Sequence, residues 1–263
     1  MRVIKQSGER EDYDERKVMS ALLRSGASPE EANLIILRLQ PKIYDGIPTR
    51  EIYRLVRQML DRKRRVRYSL KDAIFSLGPE GYYFEDLISR LFEELGYSVR
   101  VRECAKGRCV SHEVDILVEK EGVKHMVECK FHNRAGTRCG IQTALYTYAR
   151  FLDLRETSAA STPWLVTNTK FSNDVVKYAE CVGLNLIGWG FPQAKGLECL
   201  LENYKLYPLT TLQIRKDIKN ALLSKGIITL KDAVMERDLL LELLPEYKVN
   251  EIIEASEEIL GGF

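Results

Sequence analysis

Three side chains in the middle of the chain could do chemistry together. Asp115 lies in one β-prone run; Glu128 and Lys130 lie in the next, two residues apart. On a strand, residues i and i+2 project from the same face, so Glu128 and Lys130 point one way at the end of an apolar run. Glu121-Gly122 supplies a turn between the runs, and a hairpin closed there brings Asp115 beside them. Two carboxylates and an ammonium at one spot suit hydrolysis of a phosphodiester. Carboxylates hold Mg²⁺ or Mn²⁺, hard ions that prefer oxygen ligands. Such an ion polarises a phosphoryl group and acidifies a bound water. The ammonium stabilises charge developing on the phosphate oxygens. The competing reading is an ion pair on an exposed strand. Met126-Val127-Glu128-Cys129-Lys130 reads instead as a buried strand, where an unpartnered carboxylate is costly.

The elements that must position these groups read as α/β. Glu85–Leu95 is helical, with Leu87, Ile88, Leu91, Phe92 and Leu95 on one face. Three β-prone runs follow: Tyr97–Arg102, Val110–Val118 and Lys124–Phe131. Then come a helix over 141–154, a strand Trp164–Asn168, a helix Asn173–Val182 and a strand Leu184–Trp189. That order predicts a mixed sheet flanked by helices. Upstream, a short strand within 1–8 precedes helices near 14–25, 28–40 and 50–60, with Thr49 as the expected N-cap of the last. Arg62–Arg67 carries five basic side chains in six positions, a candidate for DNA phosphates or a solvated helix end. Residues 204–263 read as all-helical, with two antiparallel helices on either side of Gly226. The expected organisation is 1–77, 78–203 and 204–263.

Asp115 … Glu128-Cys129-Lys130 resembles the PD-(D/E)xK nuclease signature. Together with Gly81-Tyr82-Tyr83-Phe84-Glu85, the helix ending Leu95-Gly96-Tyr97, and Val114-Asp115, residues 80–190 look like an Mrr-like restriction-endonuclease domain. The resemblance implies a restriction-endonuclease-like fold and a metal-dependent DNA endonuclease. It makes Glu85, Asp115 and Glu128 metal ligands, with the Cys129 carbonyl as an extra one. It makes Lys130 the catalytic lysine. Gln142, four residues before Tyr146, is similar to the Q-xxx-Y element of related nucleases and would face the site or the DNA backbone. Val114 replaces the proline of the nominal signature, and Glu128 stands where many such domains carry glutamine.

Residues 1–77 resemble an ATP-cone. The matching residues are Val3-Ile4-Lys5-Gln6, Gly8, Tyr13, Lys17-Val18 and the later Ile47-Pro48-Thr49-Arg50-Glu51-Ile52. The resemblance implies an adenine-nucleotide sensor, with ATP or dATP as effector and Val3, Lys5, Gln6 and Lys17 at the site. Gln6 replaces a second basic residue of the family. No GxxxxGK[ST] occurs, so P-loop ATP hydrolysis is not expected.

Composition narrows the alternatives. Lys+Arg total 40 and Asp+Glu 38 in 263 residues, so any nucleic-acid surface must be local. No run is long and apolar enough for a membrane span, no secretory signal opens the sequence, and a cytoplasmic location is expected. None of the six cysteines forms a CxxC pair. Cys104, Cys109 and His112 could be ligands, or Cys104–Cys109 a disulfide; packed, reduced thiols are the default. DNA and an adenine nucleotide are the expected partners, and a homodimer stays open. The competing functions are a nucleotide-sensing DNA-binding regulator without cleavage, and an ATP-cone regulator of a protein partner.

Overall fold

The structure, a computed structural model, describes residues 1–5 and 8–261. It divides into two compact units, 1–72 with 257–263 and 73–256.

In the first unit β1 (Arg2–Ile4) pairs antiparallel with β2 (Arg10–Asp12). The helices α1 (Glu15–Arg24) and α2 (Pro29–Leu39) follow, then β3 (Ile47–Pro48), which runs parallel to β1. The helices α3 (Thr49–Met59) and α4 (Arg62–Tyr68) come next. Ser28 and Glu31 form a capping box on α2, with Pro29 at its first position. Thr49 is not an N-cap: it is the first helical residue of α3, and Pro48 precedes it without a side-chain bond. Val3, Leu22, Leu39, Ile47 and Val56 bury together, each worth about 1.5–3 kcal/mol.

The basic run forms α4, and the guanidiniums of Arg62, Arg64 and Arg65 are held by partners within this unit. Arg65 donates to the carbonyls of Arg57 and Leu60 at the C-terminal end of α3. Arg64 donates to the Gly26 carbonyl just past α1 and pairs with Asp61 and Glu31. Arg62 pairs with Glu258. Carbonyls at helix ends lack intrahelical donors, and these arginines supply them.

The cut at residue 72 falls inside α5 (Leu70–Phe75). The second unit then runs α6 (Tyr82–Glu94), β4 (Ser98–Lys106), β5 (Ser111–Lys120), β6 (Val123–Lys130), β7 (Arg138–Cys139) and α7 (Ile141–Arg155). It continues with β8 (Thr162–Thr167), β9 (Lys170–Phe171), α8 (Asn173–Val182), β10 (Asn185–Ile187) and α9 (Leu197–Asn203). The main sheet has the order β10-β8-β6-β5-β4. β5 pairs antiparallel with both β4 and β6, while β6, β8 and β10 are parallel, so the sheet is mixed and helix-flanked as expected. Glu121 and Gly122 both have positive φ, 52° and 76°, in a two-residue turn between the paired Lys120 and Val123.

Residues 204–256 pack within this second unit. They form short helices on either side of Gly226, as expected, but more than one antiparallel pair: α10 (Lys216–Ser224) before it, and α11 (Leu230–Met235), α12 (Arg237–Leu243) and the start of α13 (Glu246–Leu260) after it. Asp232 explains the break after Gly226: its carboxylate accepts from the Ile228 and Thr229 amides and caps α11. Arg90 of α6 donates to the same carboxylate at 3.2 Å. Among the described residues no helix is long and apolar enough to cross a membrane.

Candidate functional site

The sheet is interrupted around Asp115. The β5–β6 ladder ends at Ile116–Val127, one step short of it. The strands part there, and the Cys129 amide would lose its partner. Asp115 supplies one: its Oδ2 accepts from the Cys129 N–H at 2.7 Å. On the other flank, β4 pairs through Val101–Ile116 and Glu103–Val114 but not through Arg102, whose φ is 52°. That left-handed conformation is uncommon for a residue with a side chain. Val114 and Leu117, three apart, meet in one cluster with Met126, Phe151 and Leu154. Regular alternation would put them on opposite faces.

Arg102 reaches α6, donating to Glu85 Oε2 at 3.3 Å and to Asp86 Oδ1 at 2.8 Å. Glu85 sits in the first turn of α6. Burial, and then the Asp115 charge, raise its pKa against the pull of Arg102. Burial raises Asp115 too, against the Cys129 N–H and Arg150. Glu128 is pushed up to about 7, first by burial and then by Asp115, despite Arg150 and Lys130. Its side chain is 15% exposed, and the Arg150 Nη1 beside it on α7 donates to Oε2 at 2.5 Å. The Cys129 thiol is raised well above its usual range, chiefly by burial and then by the charges of Asp115, Glu85 and Glu128.

Glu85, Asp115, Glu128 and Cys129 therefore lie within electrostatic reach of one another. Lys130 ends β6, exposed, near enough for its charge to act on Glu128. Gln142 lies in the first turn of α7, exposed. The oxygen donors are of the kind a hard divalent cation takes, and their crowded charge is what such a cation would relieve. As placed, they do not converge on one point: among the described residues, no three His, Cys, Asp or Glu side chains are set to hold a metal ion. Arg102 and Arg150 hold two of the carboxylates instead. The sequence reading missed both arginines. Arg150 carried a signal, since it continues the four-residue spacing of Gln142 and Tyr146 along α7. Arg102 carried none, because its aim depends on one backbone angle.

Cys104 and Cys109 form no disulfide and lie exposed rather than packed, and among the described residues Cys104, Cys109 and His112 are not grouped to hold a metal ion. All six cysteines are free. Asp153 of α7 instead accepts from the Cys109 amide at 2.7 Å and pairs with His112 Nε2 at 2.8 Å. Those bonds hold the Asp153 carboxyl well below the usual carboxylate range, the Cys109 amide contributing most.

In the first unit Lys5 and Lys17 meet through one acid. Glu11 of β2 takes Lys5 at 2.9 Å and Lys17 at 3.2 Å, and Glu9 takes Lys5 at 3.2 Å. Glu11, a third residue the sequence reading missed, is the largest cause of the raised Lys5 pKa. Val3 turns its side chain into the core, 3% exposed. Gln6 lies outside the described residues.

Comparison with known proteins gives concordant families. A model described as a restriction endonuclease matches residues 79–188, and a model described as an ATP cone domain matches residues 1–72. An uncharacterized protein of Archaeoglobus fulgidus is 40% identical over 176 residues, 66% of this chain and 100% of its own length. The crystal structure of a protein of unknown function, AF1548, is similar with a TM-score of 0.61 and 40% identity, over 70% of this chain and 100% of that one.

Proposed function

We propose that the chain, which carries a restriction-endonuclease domain over residues 79–188 and an ATP cone domain over residues 1–72, is a metal-dependent DNA endonuclease regulated by an adenine nucleotide. The observation that carries this reading is the Asp115–Cys129 bond, which fastens an acid of β5 to the strand end bearing Glu128 and Lys130. Glu85, Asp115 and Glu128, with the Cys129 carbonyl, would hold Mg²⁺ or Mn²⁺. The ion's part is to polarise the scissile phosphate and to lower the pKa of a water. Lys130 offers its ammonium to the phosphate oxygens as charge develops on them. Gln142 meets the DNA backbone from the start of α7.

In the ATP cone, Lys5 and Lys17 bind the nucleotide phosphates, and Val3 and Gln6 complete the site that the resemblance implies. Both lysines now share Glu11, so an arriving polyphosphate competes with that carboxylate.

The test is cleavage of plasmid and linear DNA by the full chain, with and without Mg²⁺ and ATP. Asp115→Ala and Lys130→Ala should each lower the rate at least about 10³-fold with circular dichroism unchanged. Both variants cutting like the parent would sink the assignment. Salt-dependent DNA binding with no Mg²⁺-dependent product would favour the non-cleaving regulator.

A further inference from the structure

Arg150 is built into the candidate site more tightly than the endonuclease reading requires. A guanidinium has five donors in a fixed plane. Here Nη1 donates to Glu128 Oε2 and, at 3.0 Å, to the Glu113 carbonyl. Nη2 donates to the Tyr146 hydroxyl at 2.6 Å, and the plane stands over the Tyr146 ring at 4.7 Å. Nε is buried with no partner among the described residues. The side chain is only 12% exposed, whereas Tyr146, one turn back along α7, is 58% exposed. Gln142, Tyr146 and Arg150 thus form one stripe at four-residue spacing, open to solvent at one end and ending on a buried carboxylate at the other.

A divalent cation bound at Glu128 sets a second positive charge beside the guanidinium, and the two repel strongly in a half-buried setting. Once Glu128 serves an ion, its charge is largely spent on that ion and its hold on Arg150 weakens. An unpaired, half-buried cation is costly, and it must find another partner. Inward lie acids claimed by the same ion. Outward lies the Tyr146 ring, a surface a guanidinium can slide along while staying stacked. A phosphodiester backbone arriving over that ring presents the two oxygens that a guanidinium fork fits best.

We propose that Arg150 is a positioning residue with two alternative partners: Glu128 in the free protein, and a backbone phosphate of bound DNA once a divalent ion holds Glu128. The inference rests on the endonuclease reading above. It makes the arginine the link that couples ion and DNA binding. By linkage each ligand then strengthens the other by the same factor.

The experiment uses the full chain, fluorescent duplex DNA in EDTA or Ca²⁺ over a series of salt concentrations, and Mn²⁺ titrations followed by electron paramagnetic resonance. In the parent, Ca²⁺ should tighten DNA binding about tenfold or more and steepen the log–log salt dependence by about one unit. Arg150→Gln should bind Mn²⁺ more tightly without DNA, because the competing cation is gone. It should lose both the Ca²⁺-induced tightening and the added salt slope. Arg150→Lys, which keeps the charge but not the fork, guards against a folding defect and should retain the slope with part of the tightening. The proposal is overturned if Arg150→Gln keeps both effects, or if it binds Mn²⁺ more weakly, as a merely structural prop for Glu128 would. A parent that cuts DNA alongside such a result leaves the endonuclease reading standing. A parent that binds no DNA in either condition overturns both.

Discussion

The two regions with candidate chemistry handle charge in opposite ways. Around Asp115 the acids are buried, crowded and raised in pKa, and two arginines lie against them. On the small sheet the Lys5–Glu11–Lys17 chain lies at the surface, with one carboxylate shared by two ammoniums. Burial makes charge expensive and therefore responsive to the arrival of a strong counter-ion. Exposure makes charge cheap, screened and quick to exchange partners. A site that must organise a reaction suits the first arrangement; a sensor that must sample a pool of nucleotide suits the second.

The sharpest way to separate the regions is a pair of variants. Lys130→Ala should abolish cleavage yet titrate with ATP in calorimetry like the parent. Lys17→Ala should weaken ATP binding about tenfold, the loss of one charged phosphate contact. If Lys130→Ala also lost ATP affinity, the two regions would not be chemically separate.

A third buried acid sharpens the contrast within the second unit. Asp232 is almost fully buried, more so than Glu128, and two amides and Arg90 satisfy it. Asp232→Ala should cost about 2–4 kcal/mol in urea unfolding, since it strips a cap and leaves buried donors unpaired. A loss below about 1 kcal/mol would mean that those bonds count for little.

Glu128 predicts a smaller effect with the opposite pH sense from an ordinary paired carboxylate. Its folded pKa, about 7, lies above the unfolded value near 4.5. Between those values the folded state binds more protons than the unfolded one, so stability falls as pH rises through that window. The ion-free parent should lose about 1–3 kcal/mol from pH 4.5 to 7.5 relative to Glu128→Gln. Parallel pH profiles would show that Arg150 neutralises the acid fully. The smallest effect belongs to the exposed chain: Glu11→Gln should barely move the melting temperature, and 1 M salt should erase what shift there is.

Local features of the sequence were the legible ones. The alternation that pairs Glu128 with Lys130, the Glu121-Gly122 turn and the apolar face of α6 all act within a few residues. From them the mixed sheet and the nearness of Asp115 to the strand end could be read. Features set by long-range partners could not. Arg62–Arg67 read as a DNA contact or a solvated helix end, and the acceptors it finds, the Gly26 carbonyl and Glu258, are distant in sequence. The stretch from Ile227 to Leu244 read as one helix, since nothing nearby showed that Asp232 would fasten Arg90 or that the chain would break again between α11 and α12. Arg102 owes its reach to a left-handed φ that only its place in the sheet imposes.

The Glu121-Gly122 turn reaches further than its size suggests. Asp115 stands six positions before Glu121, and Glu128 six positions after Gly122, so the two acids are equidistant from the bend. The bend works as a caliper hinge with arms of equal length. One residue inserted there would lengthen a single arm, carry Glu128 past Asp115 and swing it to the other side of the sheet. A surface turn with no chemistry of its own thereby sets whether the acids can act together.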